Sequence, residues 1–524
     1  MFKSLLSLLT IAQAEPLDYP FADSDIAQLH RTGSAGAPGA IDEQTWHDLL
    51  LGAWSHRLGQ EASIFGQQML HQRLRTGQDD AACAAQAARL QSLSADSEQL
   101  ERLHGQCRPL RLADAEVAAL LFGAEAQPAL PAWAAHTDKV GLLFFASAAA
   151  GFWWHPLWIA AAVALYLLMA IQMQFHERVT AWRRPLKSLQ LMLQVCRDSF
   201  DELRVPARRL GAALAASPIS AAPLAGDYHE WFLLGNVRHY FATVKTVYAQ
   251  RDFLRQCYLR VAGFEADIAL ARYLRDTPTV CWAERSAGTA LALDGALHPL
   301  LPGALPLSLA LERKGLFISG QNGIGKSTLL RTVGLNLLAA RAFGFCHAQA
   351  ASLPPLRVVT NMQSEDSLLG GESLYIAELR RARELLAVPK GALFLVDEIF
   401  RGTNHLESVS AAAAVLDELA ARGPLVVASH NLVLAHLLAH RLDPLCVQRI
   451  DGLLVLRAGV LAHTNGVALL ARHGFGTAIE QQAARVFDWL GNYLAHPADS
   501  GPLADVKTWQ EAMNKAITIE TSSC

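Results

Sequence analysis

Phe317-Ile318-Ser319-Gly320-Gln321-Asn322-Gly323-Ile324-Gly325-Lys326-Ser327-Thr328 decides the fold of the C-terminal half of this 524-residue chain. The first residues read as the end of a strand, and Ser327 to Ala340 have helical spacing. A glycine-rich turn between a strand and a helix is a phosphate cradle. Its glycines let backbone N–H groups wrap an anion, and the helix N-terminus favours negative charge. Gly320 to Thr328 are therefore assigned to nucleotide phosphates. Lys326 supplies a positive charge to the β- and γ-phosphates, and the Ser327 hydroxyl is a ligand for Mg²⁺. ATP and Mg²⁺ are the expected cofactors.

Downstream, Leu393-Phe394-Leu395-Val396-Asp397-Glu398 is an apolar strand ending in two carboxylates. Asp397 is expected in the Mg²⁺ shell, and Glu398 as the general base that polarises the attacking water. Ser429-His430 follows another apolar run, Pro424–Ala428, which sets His430 where it can sense the γ-phosphate. Ser373 precedes the helical stretch Leu374–Leu386 and can cap it, leaving N–H groups free for a phosphate, including one held by a neighbouring subunit. Strands are expected at Gly315–Ser319, Arg357–Asn361, Ala392–Val396 and Pro424–Ala428, with helices between them. This alternation predicts a parallel sheet with crossover helices. Cys446–Ile450 and Leu453–Arg457 flank Asp451-Gly452 and read as a hairpin.

The N-terminal half has a different texture. Residues 41 to about 121 and 177 to about 285 carry helical periodicity. Between them, Val140 to Phe175 contains no Asp, Glu, Lys or Arg, and Phe152-Trp153-Trp154-His155-Pro156-Leu157-Trp158 sits in its middle. A membrane helix needs about 20 apolar residues. Pro156 favours a turn, and clustered Trp favours the water–lipid boundary, so two short transmembrane helices are expected, about 140–154 and 157–175. Arg178, Arg183, Arg184 and Lys187 place the following end in the cytoplasm. The expected location is the cytoplasmic (inner) membrane, with the ATPase domain facing the cytoplasm. Met1 to Ala14 also resembles a short secretory signal, a competing topology that leaves one span. Net charge is −3, so no global basic excess marks a nucleic-acid binder. The 8 cysteines include no Cys-x-x-Cys pair, which argues against a zinc site or a disulfide framework.

Taken together, the chain resembles the MutS family of DNA mismatch-repair ATPases. The residues carrying this are Gly320–Thr328, Asp366…Gly371-Glu372-Ser373…Glu378, Asp397-Glu398-Ile399-Phe400-Arg401-Gly402-Thr403-Asn404 and Ser429-His430. His298-Pro299-Leu300-Leu301 and Asn465-Gly466-Val467-Ala468 add to it. Asp42…Thr45…Asp48-Leu49 and Gly66…Leu70…Arg73-Leu74 are similar to the start of the family's helical core. The loop departs from the family at Gln321, Gly323 and Ile324, where Pro, Met and Gly are usual. The resemblance implies a homodimer with composite sites, in which Ser373 contacts the γ-phosphate held by the partner. It also implies DNA as a partner, and Arg and Lys recur over Arg178–Arg209, although an amphipathic structural face explains those charges equally well. The resemblance lacks the N-terminal mismatch-reading and connector domains, and Phe175-His176-Glu177 matches a mismatch wedge in letters only.

The expected fold class is thus mixed: a helical core and lever region with a transmembrane hairpin, then an α/β phosphate-loop NTPase domain. The expected boundaries are an N-terminal segment 1–40, a first helical core part 41–139, the hairpin 140–175 and a lever 176–290. The ATPase domain with dimerisation helices spans 291–495, and 496–524 is a tail. Two rivals remain at this level: a membrane-bound ATP-switch scaffold that ignores DNA, and a transporter ATPase. Gly370-Gly371-Glu372-Ser373 superficially favours the latter, while two spans are too few for a pore.

Overall fold

The computed structural model describes residues 19–494 apart from 35, 38, 125, 129–130, 132–136, 217–229, 231–232, 287, 363–373, 451–452, 462–464, 467–468, 471–472 and 474. The readings made on Met1–Ala14, on 364–373 including Ser373, on Asp451-Gly452, on Val467-Ala468 and on the tail lie outside the described residues.

Two units form, interleaved in sequence. Residues from 278 onward fold together with 39–54 and 77–87, and the other described residues between 19 and 277 form the second unit. The boundaries therefore differ from those expected: two pieces of 41–139 belong with the ATPase-type unit, which starts before 291. The reason is visible at helix α1 (Glu43–Asp48), where Thr45, Trp46 and Asp48 are buried. Asp48 accepts hydrogen bonds from the Thr360 hydroxyl at 2.6 Å and the Met362 N–H at 2.8 Å. A buried carboxylate must find such donors, and they lie on a strand far along the chain.

The helical unit is built on α2 (Ile64–Thr76), α3 (Thr137–Ala150), α4 (Leu157–Ser199), α5 (Gly235–Ala249) and α6 (Arg251–Arg275). Helix α6 is buried along most of its length, from Leu254 through Tyr258, Val261 and Ala266 to Leu270. Its Glu265 accepts from the Ser63 N–H at 3.0 Å, the Ser63 hydroxyl at 2.5 Å and the Gly66 N–H at 2.9 Å, which pins the start of α2. Gly66 has to be glycine, because a Cβ there would lie 2.9 Å from the Ala62 Cβ and 3.0 Å from a Glu265 oxygen.

The charge-free stretch forms a helical hairpin, α3 and α4, with Pro156 immediately before α4. The second arm does not stop near 175. It continues unbroken to Ser199 through Pro185. By length and composition α4 can cross a membrane. Its outward face is apolar, with Ile159, Val163, Tyr166 and Met173 exposed. Phe175 is not an exposed wedge: it is buried against Phe241, ring centroids 5.2 Å apart.

The unit that takes in residues from 278 onward holds the sheets. A six-stranded sheet runs from edge to edge through Leu453–Ala458, Leu442–Ile450, Gly315–Gly320, Leu425–Ala428, Leu393–Asp397 and Val358–Asn361. Its strands are β5 (Gly315–Gly320), β8 (Val358–Asn361), β9 (Leu393–Asp397), β10 (Leu425–Ala428), β11 (Leu442–Ile450) and β12 (Leu453–Ala458). Pairing is parallel except between β11 and β12, where Ile450 faces Leu453 across the expected hairpin turn. Strands β5, β9 and β10 are buried at every residue, as parallel strands covered on both faces must be. Helices α7 (Lys326–Phe343), α8 (Leu374–Ala387) and α9 (His405–Arg422) supply the crossovers, and Phe317, Phe394, Val427 and Leu416 meet in the core. A smaller sheet, β2 (Glu284–Arg285), β7 (Ala350–Leu353), β3 (Leu291–Ala296) and β4 (Leu307–Leu311) in that order, was not anticipated. Helix α10 (Thr477–Leu494) follows the hairpin strands.

Candidate active site

Three loops leave the C-terminal edge of the large sheet side by side, because β5, β10 and β9 are neighbours in one parallel register. In open parallel sheets this edge is where ligands bind. The loop after β5 carries Gly323 and Gly325 at φ 74° and 107°, values that favour glycine. Ile324 between them is not among the residues of positive φ, so its backbone is not in the left-handed region. A Cβ on Gly320 would come within 3.0 Å of the Ile324 side chain and 3.2 Å of the Val447 carbonyl oxygen, so any larger residue there would push its neighbours back by a few tenths of an ångström. Gln321 and Asn322 are exposed on the loop, and Ser327 and Thr328 are half-buried in the first turn of α7.

Lys326 is buried, and its ammonium donates to the carbonyls of Gly320 at 3.1 Å and Gln321 at 3.3 Å. It also lies 3.1 Å from His430 Nε2, at the end of β10. Burial pulls the Lys326 pKa below its ordinary value, with Asp397 and Glu398 opposing the shift. Burial, then the Lys326 charge, also lower the His430 pKa, against the pull of Glu398 and Asp397. His430 Nε2 is 3.5 Å from the Glu398 carboxylate. Lys326, His430 and Glu398 thus form one contiguous chain of contacts.

Asp397 is the last residue of β9 and is buried. Glu398 and Phe400 both have positive φ, 58° and 59°. Such backbone in non-glycine residues is costly and clusters at functional sites. The surroundings hold it in place. The Glu398 N–H donates to the Ala428 carbonyl at 2.9 Å, and Phe400 is buried edge-on to Tyr375. Arg401 lies 3.6 Å from Glu398 and 3.5 Å from the buried Glu378, which also accepts from the Arg401 N–H at 2.8 Å. A Cβ on Gly402 would sit 2.7 Å from the Tyr375 nitrogen, so the loop packs against the backbone of α8.

Sequence reading missed one contact at the cradle. The Asn322 N–H donates to Asn465 Oδ1 at 2.9 Å, and the Asn465 amide returns to the Asn322 carbonyl at 3.4 Å. In the sequence Asn465 stands out only through the resemblance of Asn465-Gly466-Val467-Ala468. Its place beside the loop has no signal in the sequence pattern.

The oxygens of Ser327 and Asp397 are hard donors. Among the described residues no cluster of three His, Cys, Asp or Glu could hold a metal ion alone. Two oxygens suit Mg²⁺, which takes most of its ligands from phosphates and water, so the residues present fit that ion.

This fold and edge are those of a phosphate-loop, ATPase-type α/β region, and residues 316–448 match the family model of MutS domain V. Over 140 residues the chain is 39% identical to the endonuclease MutS2 of Thermus thermophilus, covering 26% of this chain and 19% of that protein. Over 132 residues it is 41% identical to the DNA mismatch repair protein MutS of Thermotoga petrophila, 25% of this chain and 17% of the relative. Over 259 residues it is 29% identical to the DNA mismatch repair protein MutS of a Synechococcus species, 46% and 28%. The chain thus spans less than a third of the length of these curated relatives.

Proposed function

We propose that this chain is an ATP-binding and ATP-hydrolysing switch that acts as a dimer, is attached to a membrane by its apolar hairpin and serves a DNA-related role. The observation that carries the enzymatic part is the continuous contact from Lys326 through His430 to Glu398, beside Asp397, at the C-terminal edge of the sheet.

The roles follow from the geometry. Gly320 to Thr328 hold the phosphates of ATP through backbone N–H groups and the α7 N-terminus. Lys326 exchanges the Gly320 and Gln321 carbonyls for phosphate oxygens, which a buried cation favours. Ser327 and Asp397 would hold Mg²⁺, which would supply charge neutralisation beside the phosphates. Glu398 takes a proton from the attacking water, and His430, kept neutral by burial and by Lys326, orients the γ-phosphate side. Ser373 contributes in trans from the partner subunit. Exposed Phe475, Ile479, Val486 and Phe487, on and just before α10, support the dimer.

A role related to mismatch repair is supported by the relatives' names and by the MutS domain V match. One observation favours the second reading, a membrane switch that ignores DNA. Much of the basic charge in Arg178–Arg209 already faces acid: Arg183 with Glu230, Arg184 and Lys187 with Asp114, Arg197 with Asp198 and Arg204 with Asp201. Phosphate release by the full chain, with and without duplex, mismatched and branched DNA at rising salt, decides between them. Glu398→Gln is expected to keep ATP binding while slowing hydrolysis by about 10²- to 10⁴-fold. Normal turnover in Glu398→Gln overturns the enzymatic assignment. Turnover that depends on Glu398 but is blind to every DNA moves the second reading ahead.

A further inference from the structure

Three features of the hairpin bear on how it meets a membrane. The first is where protein already covers it. Val140 and Phe144 of α3 and Leu168 and Ile171 of α4 join one apolar cluster with Phe241 and Val244 of α5. The same α5 exposes Arg238 and Lys245. A bilayer deep enough to take the whole interval 140–175 would have to take these cations as well, which is costly. The freely insertable part is limited to about Phe145–Leu167. Its α4 arm, from Leu157, rises roughly 16 Å at about 1.5 Å per residue. That is about half of a hydrocarbon core of about 30 Å.

The second feature is the tip. Phe152 is 75% and Trp153 85% exposed, and Trp154 and Trp158 are exposed beside them. The third is the backbone of the turn. The N–H groups of Gly151, Trp153 and Trp154 donate to carbonyls of α3 at 2.9–3.0 Å, and Phe152 does so at 3.4 Å. Those of Leu157 and Trp158 donate to Trp154 and His155 at 3.0 and 3.1 Å. Among the N–H donors of residues 151–158 only that of His155 lacks such a partner; a turn facing water has no need of this pairing, whereas a turn inside lipid does.

We infer that the hairpin is re-entrant: it dips into one leaflet with the turn Gly151–Pro156 inside the lipid, and does not cross. This rests on the membrane attachment proposed above and replaces the two full spans expected from the sequence. The occupant of the apolar face is the acyl layer of a single leaflet, and the exposed Arg178, on the water side of the insertable part, faces the head groups.

The test uses the full chain carrying His155→Cys, added to sealed vesicles of phosphatidylethanolamine and phosphatidylglycerol. A membrane-impermeant maleimide is supplied either outside or entrapped in the lumen, and the parent chain serves as the blank for native cysteines. The expected result is flotation with the vesicles and labelling from neither side until detergent is added. Labelling by the entrapped reagent shows a crossing hairpin and overturns the inference while keeping membrane attachment. Labelling from outside with flotation kept leaves the turn in water and overturns the inference, whereas failure to float removes membrane attachment itself. Trp153→Glu is expected to cut the floated fraction by about tenfold or more with hydrolysis unchanged. If it instead converts a dimer to a monomer in sedimentation without lipid, the face belongs to a second copy and the inference fails.

Discussion

Glu398 and Phe400 show what the site demands of single residues. Both hold a left-handed backbone that non-glycine residues avoid, with Ile399 between them. The strain is opposed by the Glu398–Ala428 hydrogen bond, the buried Phe400 ring and the ion pairs of Arg401. At the cradle, Asn465 clamps both backbone groups of Asn322. Asn465→Ala is expected to weaken ATP binding roughly three- to tenfold, the worth of one exposed hydrogen bond and some loop order. Titration of a fluorescent ATP analogue checks this, and unchanged affinity would show the clamp to be idle.

At the scale of elements, α1 is the unexpected component of the nucleotide unit. Besides Asp48, its cap residue Asp42 accepts from the Thr45 N–H at 2.7 Å and pairs with Arg381 of α8 at 3.2 Å. The Asp48 carbonyl accepts from Arg331 of α7 at 2.8 Å. One short helix therefore touches the helix of the phosphate loop, the end of β8 and α8. Asp48→Ala leaves the Thr360 hydroxyl and the Met362 N–H without their acceptor. The expected cost is about 2–4 kcal/mol in urea unfolding, with Asp48→Asn losing less because it keeps one oxygen. Equal losses for the two variants would mean that the carboxylate charge, not its accepting oxygen, is what matters.

For the whole molecule, the prediction concerns pH. Burial pushes the Glu265 carboxyl up to about 7, despite three hydrogen bonds that favour its charged form. The folded chain therefore binds a proton that the unfolded chain has lost between the ordinary value of 4.5 and about 7. A group raised in this way stabilises fully below the unfolded value, and the contribution fades as pH rises through the folded one. The fade amounts to about 3 kcal/mol at most. Glu265→Gln keeps an acceptor and has no proton to lose. The stability of the helical unit in the variant is expected to vary less between pH 5 and 8, as read by denaturant midpoints at each pH. An unaltered pH slope would rule out Glu265 as its source.

The sequence by itself determined the phosphate loop, the acidic strand end, the histidine after β10 and the parallel strands, because each is a local pattern of glycine, charge and apolar run. It also determined that the charge-free stretch turns at Pro156. Tertiary structure alone decided that Asp42, Thr45 and Asp48 join the nucleotide unit, since a buried carboxylate goes wherever its donors are. It alone decided that Asn465 returns to Asn322, and that α4 runs on to Ser199 as a single helix. The depth to which the hairpin is bare was also invisible in the sequence. Periodicity counts apolar residues but does not say which of them another helix has already covered, and here α5 covers the base of the hairpin.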